Sequence, residues 1–132
     1  MPERNVEIIQ RLTELVNAHD ASAATHLFHP DVQWRDLAHA PDTTEVLQGV
    51  DAVLGAWNLW LQAFEQFGIE VFEYLDADPW VVCDVRWFAE GRGSAVGVDL
   101  RQADAYELMD GKIIRAVLAY PDAATALAAV QD

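Results

Sequence analysis

A carboxyl group stands in the middle of a strand-like run. The segment Val98-Asp-Leu-Arg-Gln-Ala-Asp-Ala-Tyr-Glu-Leu108 alternates in polarity. With a period of two, Val98, Leu100, Gln102, Asp104, Tyr106 and Leu108 share one face. Asp104 is thereby set among mainly apolar neighbours. An ionised carboxylate is costly to bury. The group must then hold its proton more tightly, find a partner, or line a wet pocket. The first and third outcomes turn carboxyls into acids, bases or donors; the plain alternative is a strand-edge Asp reaching water or a backbone N–H. A second carboxyl, Asp36, ends Val32-Gln-Trp-Arg-Asp36. That run reads as a short strand with Trp34 and Asp36 on the same side.

Other residues with reactive side chains point less sharply. Cys83 alternates with Val81, Val85 and Trp87, so it reads as a small buried hydrophobe. No His lies near it in sequence to activate it as a nucleophile. His39, in the loop after Asp36, is a candidate to shuttle protons or close a pocket; the alternative is a solvated loop His. His26 and His29 with Asp31 or Asp36 match no standard ligand spacing, so no metal is expected. Five Trp is a high count. Trp34, Trp57, Trp60 and Trp87 read as lining a core or a cavity. Their rings would make large apolar contacts with a planar ligand, or simply pack. Asp76, Asp78, Asp110 and Asp122 fall at turns, where Asp bonds locally to backbone. Arg92 and Arg115 read as surface residues.

Composition narrows the class. A chain of 132 residues fits one domain, 1–132, with one real core. With 52% hydrophobic and 23% charged residues it should fold. No apolar run reaches the roughly 20 residues of a membrane span. Met1-Pro-Glu-Arg starts no signal-peptide pattern. The single Cys83 suits a reducing, cytoplasmic setting. A net charge of −14 repels nucleic acid and anionic membranes, and the eight Lys and Arg form no basic run. Neither partner is expected.

The elements that must position these residues follow from periodicity. Val6, Ile9, Leu12, Leu15 and Val16 predict a helix over 3–18. Asn17-Ala-His-Asp20 breaks it, and Asp20 or Ser22 caps a short helix, Ala23–Phe28. His29-Pro30-Asp31 reads as a turn. After the strand Val32–Asp36, residues 37–48 form a polar loop able to lid a cavity. Gly49 and Asp51 open a long helix to about Phe67. Strands follow over Ile69–Leu75, Trp80–Glu90, Ala95–Leu108 and Lys112–Tyr120, with Asp110-Gly111 as a hairpin turn. A final helix covers Ala123–Val130. This order predicts an α+β fold in which a curved antiparallel sheet wraps a long helix around a cone-shaped cavity.

That order resembles the nuclear transport factor 2-like, or cystatin-like, superfamily of SnoaL-type polyketide cyclases, ketosteroid isomerases and limonene epoxide hydrolases. The resemblance rests on Asn17-Ala-His-Asp20, Leu27-Phe-His-Pro-Asp-Val-Gln-Trp-Arg-Asp36, Gly49-Val-Asp-Ala-Val53 and Leu108-Met-Asp-Gly-Lys-Ile113. It implies that Asp36 matches the isomerases' general base. It also implies that Asp104, two residues before Tyr106, matches their protonated Asp. In those isomerases one carboxyl of the pair is a base and the other a neutral donor. Leu12 stands where they carry an oxyanion-hole Tyr, so Tyr106, Tyr120 or Trp57 would have to replace it. The epoxide hydrolases use an Asp-Arg-Asp set, but Arg101 lies opposite Asp104 by parity.

Three functions follow as expectations. The first is cofactor-free acid/base isomerisation or cyclisation of a small apolar molecule next to a carbonyl. Asp36 and Asp104 would be catalytic there, with Trp34, Trp57, Trp60, Trp87, Tyr106, Tyr120 and His39 around the substrate. The second is a non-catalytic ligand-binding or dimerisation module. The third is water addition to an epoxide. The resemblance also implies a homodimer through the outer sheet face, which would include Arg101, Ala103 and Ala105.

Overall fold

The computed structural model describes residues 2–37, 46–91 and 97–131. Helix α1 runs Pro2–Asn17. Ile9, Leu12, Leu15 and Val16 are buried at three- and four-residue steps, so one stripe of α1 faces the core. The Asn17-Ala-His-Asp20 break then acts as a clasp. Asn17 Nδ2 donates to the Ile69 carbonyl at 3.0 Å, and its Oδ1 accepts from the Ile69 N–H at 2.8 Å. The side-chain amide thus bonds to backbone as a neighbouring strand would. Asp20 caps α2 (Ala21–Ala24) by accepting from the Ala23 N–H at 3.0 Å.

Three expectations about the first half are corrected. The second helix is a single turn followed by a 3-10 turn, Thr25–Leu27, and Phe28 already belongs to strand β1 (Phe28–Asp36). Phe28 is buried there and pairs with Ile113, which outweighs the local helical pattern. His29-Pro30-Asp31 is not a turn but lies inside β1, where pairing changes register between Phe28 and Gln33. Pro30, with no N–H to give, sits where the ladder is already interrupted. Part of the expected loop is ordered as β2, Leu47–Gln48, against β1. Residues 38–45 of that loop, His39 included, lie outside the described residues.

Helix α3 spans Val50–Ala63 and stops short of Phe67. Phe64 is extended, and β3 (Phe64–Ala77) pairs from there with β4 (Trp80–Gly91). Sheet pairing decides this boundary, because the aromatic residues continue the helical period without staying helical. Strands β5 (Gly97–Met109) and β6 (Lys112–Tyr120) follow, joined through Asp110 and Gly111 at φ 54° and 78°. Two positive φ values are what a two-residue hairpin of this twist requires. Arg92 and residues up to 96 lie outside the described residues. Helix α4, Ala123–Gln131, is capped by Asp122, which accepts from the Thr125 N–H at 2.7 Å.

The sheet order is β2-β1-β6-β5-β4-β3. It is mixed rather than wholly antiparallel, because β1 runs parallel to β6. The curled inner face packs on α1 and α3 around Phe28, Val32, Val81, Val85, Tyr106 and Ile113. A second, smaller cluster lies on the other face. There α4 covers Val82, Ala103 and Ala105 with Ala126, Leu127 and Val130. Ala103 and Ala105 are therefore buried within one chain and cannot form the expected dimer face. Arg101 stays exposed, paired to Asp84 at 3.0 Å, and parity on β5 holds as expected. Cys83 is buried, and burial pushes its thiol far above the ordinary range. Among the described residues, no helix is long and apolar enough to cross a membrane.

Candidate functional site

The space between the curled sheet, α1 and α3 is a cavity of about 120 Å³. Each wall comes from a different element. Helix α1 contributes Leu12 and Val16, one step apart on its buried stripe. Strand β1 contributes Trp34 and Asp36, which its alternation puts on one side. Helix α3 contributes Val53, Ala56, Trp57 and Trp60 at helical spacing. Strands β3 to β6 supply Phe67, Trp87, Ala89, Leu100, Gln102 and Leu118. Aromatic rings dominate the wall. Phe67 lies 5.6 Å from Trp87 and 5.7 Å from Trp60 between ring centres. Trp34, Trp57, Trp60 and Trp87 all line the space.

Among the described residues, Asp36 is the one carboxylate in that wall. It is half-buried, so it can meet both a ligand and water.

Asp104 is placed differently from expectation. It has no exposed surface and stands behind the wall. Both of its oxygens are occupied. Oδ1 accepts from Gln102 Nε2 at 2.7 Å and from the Ala119 N–H at 3.0 Å, while Oδ2 accepts from Trp87 Nε1 at 2.8 Å. Burial pushes its pKa up, these three donors pull it down, and the charge of Asp36 pushes it up again, to about 6. A carboxyl ringed by three donors is a hydrogen-bond acceptor. It orients Trp87 and Gln102, both of which line the cavity.

The Ala119 N–H reaches Asp104 because β6 is bulged. Pairing with β5 shifts register between Ala103 and Ala105, and Ala119 takes φ 73°. A bulge frees one N–H from the ladder and re-aims the neighbouring side chains. It also turns Tyr120 outward, where it packs with the α4 cluster and not in the cavity. Tyr106 is buried, is not among the residues that line the cavity, and meets Trp34 edge-on at 6.1 Å. Neither tyrosine replaces the donor missing at Leu12. Trp57 Nε1 is buried with no acceptor among the described residues. Among the cavity residues that sequence reasoning does not assign to the site, two stand out. Gln102 is one, although its parity with Asp104 is a usable signal. Phe67 is the other, hidden by a helical period that runs past the true end of α3. The Ala119 bulge has no sequence signal, since alanine does not mark a positive φ.

An α+β cone of this kind, with its cavity closed by α1 and α3, is the nuclear transport factor 2-like fold. The SnoaL-like domain model matches residues 9–116, and the chain belongs to that family. Solved structures share the fold at low identity. An NTF2-like protein of unknown function from Burkholderia pseudomallei has 12% identity and a TM-score of 0.76 over 98% of each chain. RV0760c from Mycobacterium tuberculosis, in complex with estradiol-17β-hemisuccinate, has 16% identity and a TM-score of 0.77, covering 87% of this chain and 92% of that one. SalBIII, an epoxide hydrolase/cyclase-like enzyme of pyran ring formation in salinomycin, has 18% identity and a TM-score of 0.76, covering 91% and 94%. No curated protein matches.

Proposed function

We propose that this chain is a cofactor-free enzyme that moves a proton on a small apolar molecule held in the cone. Asp36 is the group that takes and returns the proton. The observation that carries this reading is a carboxylate set in a wall whose other described residues, Gln102 apart, are aromatic or aliphatic. Such a group meets substrate directly, and a positioned acid or base contributes about 100- to 10,000-fold in rate. Asp104 supports it from behind by holding Trp87 and Gln102 in place. Isomerisation or cyclisation next to a carbonyl is the reaction class first expected. Asp104 as a neutral donor to the oxyanion is no longer part of it, since both oxygens already accept. An Asp-Arg-Asp set built on Arg101 is also dropped, because Arg101 pairs with Asp84 on the outer face.

Non-catalytic ligand binding is favoured by a separate observation. Leu12 lines the cavity where a donor would stand, and it cannot form a hydrogen bond. A thermal-shift screen of planar ketones, polyketide-like aromatics, steroids and epoxides separates the readings. It is run on the wild type and on Asp36→Asn. A ligand at about 100 times its Kd adds about 2.7 kcal/mol, which the screen resolves. Hits are then assayed for turnover. We expect turnover by the wild type and its loss in Asp36→Asn. Binding without turnover in both proteins selects the non-catalytic module. The chain works as a homodimer in a cytoplasmic setting on this reading.

A further inference from the structure

The three bonds that hold Asp104 are not alike. Two come from groups that can only donate: the Trp87 indole at 2.8 Å and the Ala119 backbone N–H at 3.0 Å. The third comes from the Gln102 amide at 2.7 Å, and an amide has a donor end and an acceptor end. Three donors suit an ionised carboxylate. A protonated carboxyl carries an O–H, which needs an acceptor. Trp87 and the Ala119 N–H cannot supply one. Gln102 can, by turning its amide over. The last torsion of a glutamine is broad and roughly two-fold, and the two ends of its amide are alike in size, so the reversal needs no repacking. A separation of 2.7 Å suits an O–H···O bond as well as an N–H···O bond.

The reversal changes what a ligand meets. Gln102 is 8% exposed and lines the cavity, while Asp104 behind it has no exposed surface. Whichever end of the amide is not on Asp104 is the end left for a ligand. Asp104 titrates at about 6, so both of its states are within reach of ordinary conditions. The titratable groups whose charge bears on it are Asp36 from β1, Cys83 from β4 and Tyr106 on β5 itself. Burial pushes Cys83 and Tyr106 up, so both stay neutral, and the Asp36 charge favours the proton on Asp104. The residues of α1 and α3 that line the cavity do not titrate.

We propose that Gln102 is a reversible specificity residue of the cavity. It offers its carbonyl to a ligand O–H or N–H while Asp104 is ionised, and its amide N–H to a ligand carbonyl or enolate oxygen once Asp104 carries a proton. This rests on the cone being the ligand site and names the group that reads the ligand there. Asp104 is a positioning residue that acts through Gln102 and touches no ligand. In the protonated arrangement the Gln102 N–H is the donor to an oxygen next to the reacting carbon that Leu12 cannot be. A carbonyl ligand thereby draws a proton from solvent onto Asp104, and a hydroxyl ligand releases it.

Calorimetry with three bicyclic probes of nearly one size tests this at about pH 5 and about pH 8. Indole donates a hydrogen bond, 1-indanone accepts one, and indane does neither. On going from the higher pH to the lower, the wild-type preference should move toward 1-indanone over indole by about fivefold or more, the scale of one hydrogen bond gained and one lost. Asp104→Asn places a neutral amide that donates to Gln102 as the protonated acid does, so it should show the low-pH preference at both values. Gln102→Leu should bind the three probes with a preference that does not move with pH. A constant preference in the wild type, with indane bound, overturns the inference and leaves the cavity standing. A shift that persists in Gln102→Leu belongs to another group and overturns it. A shift that persists in Asp104→Asn does the same. No binding of any probe, indane included, removes the cone as ligand site and this inference with it.

Discussion

Asp104 is held by three donors and still keeps its proton more tightly than an exposed aspartate. Its usual value is 3.8, and in the fold it is about 6. Between those values the folded chain binds more protons than the unfolded one. The stability this group contributes is therefore full below about pH 4 and is lost as pH rises through about 6. Two pKa units correspond to about 3 kcal/mol. Other carboxyls act in the opposite sense. Asp84 and Asp122 are lowered by Arg101 and by the Thr125 N–H, so they add stability as pH rises. The informative measurement is a difference. Urea unfolding of wild type and Asp104→Asn across pH 4 to 7 should show the wild type losing ground over that range. A flat difference would remove the buried-carboxyl account. At fixed low pH, Asp104→Asn should itself cost about 1–3 kcal/mol, because one of three donors must then face an amide N–H.

At the scale of elements, two local devices hold the cavity walls. The Asn17 amide joins the end of α1 to Ile69 on β3 by two bonds to one residue. The approach is close. A Cβ built on Gly68 would lie 2.5 Å from Phe88 Cζ and 3.0 Å from Asn17 Oδ1, so glycine is what the crossing admits. Asn17→Ala should destabilise by about 1–3 kcal/mol, because it leaves a half-buried N–H and carbonyl without partners. Chemical denaturation should show a lower midpoint at unchanged m. The second device is the β6 bulge. Ala119 at φ 73° carries backbone strain while delivering its N–H to Asp104. Ala119→Gly should relieve that strain and be neutral or stabilising by under about 1 kcal/mol. A loss of several kcal/mol would show the methyl packing to matter more than the strain.

For the whole molecule, α4 divides the outer sheet face. One end is sealed over Ala103 and Ala105. The rest is open and carries a charged lattice: Arg86 with Asp99 and Glu70, and Arg101 with Asp84. Phe72 is 48% exposed there, with the Arg101 guanidinium 4.0 Å above its ring. A homodimer through the sheet would use this end. Sedimentation equilibrium should give a dimer for the wild type. Phe72→Asp with Arg101→Glu should give a monomer that still folds. A wild-type monomer at micromolar concentration would reject this interface.

Much of this is legible in residue order alone. Period-two and helical repeats place α1 and the strands β4, β5 and β6 to within a few residues, because burial on one face imposes those periods. Parity on β5 puts Asp104 inside and Arg101 outside. Tertiary structure decided the rest. It ended α3 at Ala63, because pairing of Phe64 with Gly91 outweighed a helical pattern that the aromatics continued. It drew His29-Pro30-Asp31 into a strand beside β6. It turned Tyr120 outward at a bulge that no residue type announces. Above all it assigned the two aspartates to different places. A sequence shows that a carboxyl faces inward. Whether that carboxyl meets a cavity, like Asp36, or three donors, like Asp104, depends on strands and loops far apart in the chain.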